Sequence, residues 1–200
     1  MEKLSKLKSK KFIIWTLIIL LVGYIAYKHR LEIGVYLSCH KDYSPNWSLK
    51  YVGEDKKNMQ LTVIFNRRFY GNSSEYWNRI KNIYDKIREH FLLRPNSPYH
   101  NYSLTIDFVN VAYHFKINNI NANSDKIEII TNMESDIISV EELSNNFPNT
   151  NRLILATAHY DNISEFGKFN NLEYVNLWQT VSEEDCDYIR SRFPGCIVEK

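Results

Sequence analysis

The chain has 200 residues, 44% of them hydrophobic, with 25 Lys/Arg, 23 Asp/Glu and three cysteines. That length supports one domain with a proper core, and three cysteines exclude a disulfide framework. The overall charge of +2 hides a segregation: eight cations against two acids in residues 1–41, eleven against seven in 42–118, and six against fourteen in 119–200. So acidic a C-terminal half cannot neutralise phosphates, and no nucleic-acid partner is expected.

Residues 1–11 form a basic flank. Behind it, sixteen uncharged residues, Phe12 to Tyr27 (FIIWTLIILLVGYIAY), lie between Lys10-Lys11 and Lys28-His29-Arg30. At about 1.5 Å per residue a helix of that run is roughly 24 Å long, a little short of a ~30 Å hydrocarbon core. Trp15, Tyr24 and Tyr27 sit near its ends, where amphipathic rings suit the interface. The expectation is an N-terminal transmembrane signal-anchor helix over 12–27. Lys3, Lys6, Lys8, Lys10 and Lys11 precede it, and only Lys28 and Arg30 follow at once. That asymmetry predicts a cytoplasmic N-terminus with residues 42–200 outside. The competing reading is secretion after signal cleavage, for which Ala26 is the small residue at hand, with bulky Tyr24 two positions earlier.

Residues 28–58 read as a polar connector, with Pro45, Gly53 and the charged run Glu54-Asp55-Lys56-Lys57. Residues 59–118 read as a βαβ capping region. Leu61–Phe65 is its first strand, and Asn72-Ser73-Ser74 supplies helix-capping residues. Trp77, Ile80, Tyr84, Ile87 and Phe91 then recur at steps of three and four, the spacing of an apolar helix face. Arg94-Pro95 ends that helix, since proline cannot continue the hydrogen-bond ladder, and Leu104–Phe108 is the second strand.

Residues 119–200 show a repeat. From Phe169, Leu172, Val175 and Leu177 follow at +3, +6 and +8; from Phe147, Leu153 and Leu155 fall again at +6 and +8. Ile127 and Ile129 hold the same positions upstream, and Phe147-Pro148 is echoed by Phe193-Pro194. Ser139 to Glu142 and Ser182 to Asp185 match a helix-capping pattern, with acids in the first turn to complement the helix dipole. Over residues 102–200 the chain thus resembles the leucine-rich repeat family, in Phe169 to Leu177 above all and in Ile127-x-Ile129-x-x-Asn132. It departs at the asparagine-ladder position, where Asn132 is followed by Ala158 and Thr180. The resemblance implies an α/β fold in which the βαβ unit continues into a short β/α solenoid with a parallel sheet.

No catalytic motif is present: no Gly-rich phosphate loop, no H-E-x-x-H, no Cys-x-x-Cys and no G-x-S-x-G. His159-Tyr160-Asp161 follows a predicted strand, yet a His-x-Asp pair alone reads as loop polarity. Cys186 lies on an apolar helical face, and it and Cys196 read as small core residues or as a bridge. No cofactor and no metal are expected. Leucine-rich repeats bind proteins on the exposed strand face, which here implies partner contacts at Glu128, Arg152, Ile154, Glu173, Tyr174 and Asn176. The expected function is that of a membrane-anchored, non-catalytic protein-binding module, attached through residues 12–27. The alternatives are a membrane-tethered enzyme and an accessory subunit acting through its anchor helix.

Overall fold

Leu104, Ile106 and Phe108 alternate with Thr105 and Asp107, and the same period of two marks Phe115 and Ile117, Ile127 and Ile129, and Leu153 and Leu155. A pleated strand sends successive side chains to opposite faces, so each segment has one face to bury. In the computed structural model, which describes residues 2–39, 47–67, 74–109, 113–121, 124–131, 137–156, 159–177 and 181–200, these segments join one eight-stranded sheet. The elements in chain order are α1 (Glu2–Lys28), α2 (Arg30–Cys39), β1 (Trp47–Asp55), β2 (Gln60–Arg67), α3 (Ser74–Arg88), β3 (Ser103–Val109), β4 (Tyr113–Asn121) and β5 (Ser124–Thr131). There follow β6 (Ile137–Ile138), α4 (Val140–Asn146), β7 (Thr150–Ala156), β8 (His159–Tyr160), β9 (Tyr174–Asn176), α5 (Glu183–Arg192) and β10 (Ile197–Glu199). A π-turn, Glu89–Leu93, extends α3, and a 3-10 helix, Ile163–Lys168, links β8 to β9.

The sheet order is β1-β2-β3-β4-β5-β7-β9-β10, with β6 and β8 paired separately. β2 and β3 are parallel, joined across α3, while β1/β2, β3/β4 and β4/β5 are antiparallel. From β5 onward every pair is parallel. This corrects the expected solenoid: the chain builds one mixed sheet. The physical reason lies in residues 113–121, which pair as a strand with both β3 and β5, so no crossover helix intervenes and the strands must alternate in direction. The parallel arm does keep a near-regular step: Lys126 aligns with Arg152, Arg152 with Tyr174 and Tyr174 with Ile197, at intervals of 26, 22 and 23 residues. Asn132, Ala158 and Thr180 lie outside the described residues, as do Asn72 and Ser73.

The helix starts follow the capping chemistry. Ser139 Oγ accepts from the Glu142 amide at 3.4 Å and Ser182 Oγ from the Asp185 amide at 3.1 Å. Each helix then ends at a Phe-Pro turn: the Thr150 amide donates to the Phe147 carbonyl at 3.1 Å, and the Cys196 amide to the Phe193 carbonyl at 2.9 Å. In the second turn Gly195 has φ +91°, a conformation that a β-carbon opposes.

The described parts of the predicted connector, 28–39 and 47–58, are structured. Residues 30–39 are helical, and β1 and β2 form a hairpin whose turn is held by Asp55, which accepts from the amides of Lys57 at 3.0 Å and Asn58 at 3.1 Å. The α2 helix packs on α3 and its π-turn: Leu31, Gly34, Val35 and Cys39 are buried. A β-carbon at Gly34 would fall 2.8 Å from Phe91 Cζ, so only glycine lets the two helices approach this closely.

The anchor expectation is also corrected. Among the described residues no single helix is long and apolar enough to cross a membrane, although Phe12–Lys28 and Arg30–Cys39 together pass that test as a pair bent by 71°. Sixteen apolar residues are too few by themselves, and the charged triplet Lys28-His29-Arg30 marks the break. Every large apolar side chain from Phe12 to Tyr27 is 43–73% exposed.

The core lies between the sheet and α2, α3, α4, α5 and the 3-10 helix. Trp77 packs edge-on to Phe115 at 5.1 Å between ring centroids, and Phe147 meets Tyr84 at 6.1 Å and Phe115 at 6.0 Å. Within this apolar layer the Tyr84 hydroxyl donates to Asp125 Oδ1 at 2.5 Å, and Asn119 Nδ2 donates to the same oxygen at 3.1 Å. Burial first, and then the Asp125 charge, push the Tyr84 phenol well above its ordinary range, so it stays a donor. Tyr84→Phe leaves a buried carboxylate oxygen one bond short, which costs about 2 kcal/mol. The expected outcome is a urea midpoint lower by about 1 M for the full chain in detergent micelles. An unchanged midpoint would show that the bond is energetically idle.

Candidate interaction face

Side chains that alternate with the core residues point to the other side of the sheet, where no helix packs among the described residues. Register fixes their neighbours. Asp107, Lys116, Glu128, Ile154, Asn176 and Glu199 form one row across β3, β4, β5, β7, β9 and β10. Thr105, Asn118, Lys126, Arg152, Tyr174 and Ile197 form the row beside it.

The parallel arm carries the most ordered part of this face. The Arg152 guanidinium lies 4.7 Å from the centroid of the Tyr174 ring. The Tyr174 hydroxyl donates to Glu199 Oε2 at 2.5 Å, and Asn176 Nδ2 lies 3.3 Å from the same oxygen. The bond to Glu199 is the main reason the Tyr174 phenol is held above its ordinary range. Lys126 and Glu128 approach to 3.7 Å. On β2–β4, Gln60 Nε2 donates to Thr105 Oγ1 at 2.9 Å and Thr105 to Asn118 Oδ1 at 2.6 Å. These cross-strand pairs fix the side chains in place, which lowers the entropy cost of presenting them to a partner.

Five of the six residues named from the sequence share this face: Glu128, Arg152, Ile154, Tyr174 and Asn176. Glu173 does not. It sits one residue out of phase at the rim where β9 begins, accepting from Asn151 Nδ2 at 3.1 Å. The face also includes Lys116, Lys126, Ile197 and Glu199, which sequence reasoning missed. Glu199 was out of reach because β10 has only three residues, and Lys116 because β4 had not been recognised as a strand.

The other candidates from sequence have structural roles. Asp161 Oδ1 accepts from the Val140 amide at 3.0 Å and so caps α4, and Tyr160 donates to Asp185 Oδ2 at 2.8 Å with its phenol pushed up by burial. Cys39, Cys186 and Cys196 are buried thiols outside any disulfide. Burial raises the Cys186 and Cys196 thiols, which opposes formation of a nucleophilic thiolate. Among the described residues no three His, Cys, Asp or Glu side chains are grouped to hold a metal ion. A recess of about 400 Å³ where β3 begins is lined by Arg88, His100, Tyr102, Ser103 and Asn119 among others, and the Ser103 hydroxyl there is directed to the Met59 carbonyl at 3.5 Å.

The face is therefore a broad polar surface that carries the Tyr174 ring on its parallel arm and Tyr51, 52% exposed, on β1. No protein-family model, no curated protein and no solved structure matches this chain.

Proposed function

We propose that the chain is a membrane-held protein-binding module, attached through residues 12–27 and presenting the uncovered face of its sheet to a protein partner. The observation that carries the reading is the one-sided layering: every described helix of the domain lies on one side, and the other side presents Arg152 and Tyr174 stacked among in-register charges. Charges on this face are balanced, with Lys116, Lys126 and Arg152 against Asp107, Glu128 and Glu199. A partner of alternating charge with an apolar pocket for the Tyr174 ring suits it better than a polyanion. The attachment rests on the exposure of all the large apolar side chains from Phe12 to Tyr27, since burying so much apolar surface in lipid is strongly favourable.

Two measurements test the two halves of this reading. The full chain is expected to float with phosphatidylcholine vesicles on a density gradient. Ile18→Lys with Leu21→Lys is expected to leave it at the bottom, because two lysines at a helix centre cost about 6 kcal/mol on an insertion scale. Flotation of the double variant would remove α1 as the anchor. For the face, a photoreactive residue at Ile154 is expected to crosslink one protein in native membranes. Tyr174→Ala is expected to weaken that partner by roughly thirtyfold, the effect of losing a hot-spot aromatic worth about 2 kcal/mol. Equal crosslinking from Ile154 and from Asn82, on the exposed side of α3, would overturn the assignment of the face.

A further inference from the structure

The short helix α2 has two apolar sides. Leu31, Gly34, Val35 and Cys39 enter the core, while Ile33, Tyr36 and Leu37 face outward with exposures of 41%, 56% and 62%. Spacings of three and four residues put those three on one stripe. A core-facing helix has no structural need for a second apolar stripe, and exposed aliphatic side chains grouped in this way mark a surface meant to be covered.

The covering is indicated by what adjoins the stripe. The exposed apolar helix α1 leads directly into α2 through a bend of 71°. Cations flank it. Lys28 and Arg30 stand at the bend, and Lys86 and Arg94 line recesses of about 370 and 430 Å³ against the ends of α2. Arg30 also bonds Glu54 at 2.9 Å and stacks on the Tyr27 ring at 4.9 Å, which ties the bend to β1. Among the acids here, Glu32 lies on α2 itself, Glu89 lines the recess of Lys86 and Glu54 is bonded to Arg30.

We infer that α2 is an interfacial helix: it lays Ile33, Tyr36 and Leu37 into the headgroup boundary of the bilayer to which α1 attaches. The domain is then docked against the membrane at a fixed tilt and does not swing on a tether. This inference rests on the membrane reading above. It also orients the binding face. Arg30 bonds Glu54, which pairs with core-facing Leu61, so α2 lies on the helical side of the sheet and the uncovered face points away from the lipid.

The test uses the full chain in phosphatidylcholine–phosphatidylglycerol vesicles, with an environment-sensitive fluorophore on a single added cysteine: Leu20→Cys, Leu37→Cys or Arg152→Cys. The buried native cysteines stay unlabelled in the parent chain, which serves as the blank. Positions 20 and 37 are expected to shift to the blue and to be quenched by nitroxide-labelled lipid, with position 152 unaffected. If 37 behaves like 152 while 20 is quenched, the interfacial helix is overturned and the membrane reading stands. If neither 20 nor 37 is quenched, both fall.

Discussion

The hydrogen bond from Tyr84 to Asp125 joins the two halves of this molecule. Tyr84 belongs to α3, the crossover of the β2–β3 unit, and Asp125 opens β5, the first strand of the parallel arm. A polar bond in an apolar layer is worth more than its net strength, because every misregistered alternative leaves a carboxylate buried without a donor. With α3 pinned there, Phe115 and Phe147 have one place to go, between Trp77 and Tyr84. The helical layer and the strand register are fixed by the same contact.

One-sided layering follows from this arrangement and determines what the protein can present. An antiparallel or mixed sheet tolerates one wet face, whereas an all-parallel sheet is ordinarily covered on both. Here the parallel arm shares a sheet with the β3-β4-β5 meander, and its open face is stabilised by cross-strand pairs such as Arg152–Tyr174 and Tyr174–Glu199. The face is therefore stable without a cover, yet it has donors, acceptors and an aromatic ring already in position.

The extent to which this was legible in the sequence differs by element, for identifiable reasons. Period-two alternation marked β5 and β7, and the steps of three and four in Trp77, Ile80, Tyr84 and Ile87 marked α3, because burial on one face imprints a period. Ser139 and Ser182 announced their helices through capping chemistry that is local in sequence. The strand β4 escaped because its pattern, Phe115-x-Ile117, is short and flanked by Asn118 and Asn119, residues that favour turns. The β1 strand was hidden behind Glu54-Asp55-Lys56-Lys57, a charge run that the structure uses as the end of a hairpin. Most of the candidate face was visible as the residues between core positions. Glu173 was misplaced by one residue because β9 begins later than its apolar pattern, and in a strand a shift of one reverses the face.

The bend at Lys28-His29-Arg30 connects these two parts of the molecule. The sequence presented 12–27 as a self-sufficient anchor and 28–58 as a polar connector. In the folded domain Arg30 bridges the bend, stacked on Tyr27 and bonded to Glu54, and α2 is seated on Phe91 through Gly34. A flexible connector would let the sheet sample all directions, and binding would then carry the entropy cost of orienting the whole domain. A helix whose inner stripe is core and whose outer stripe is Ile33, Tyr36 and Leu37 removes that freedom before any partner arrives. In the docking proposed for α2, the same short segment transmits the orientation of α1 to the sheet and aims the face bearing Tyr174 away from the lipid.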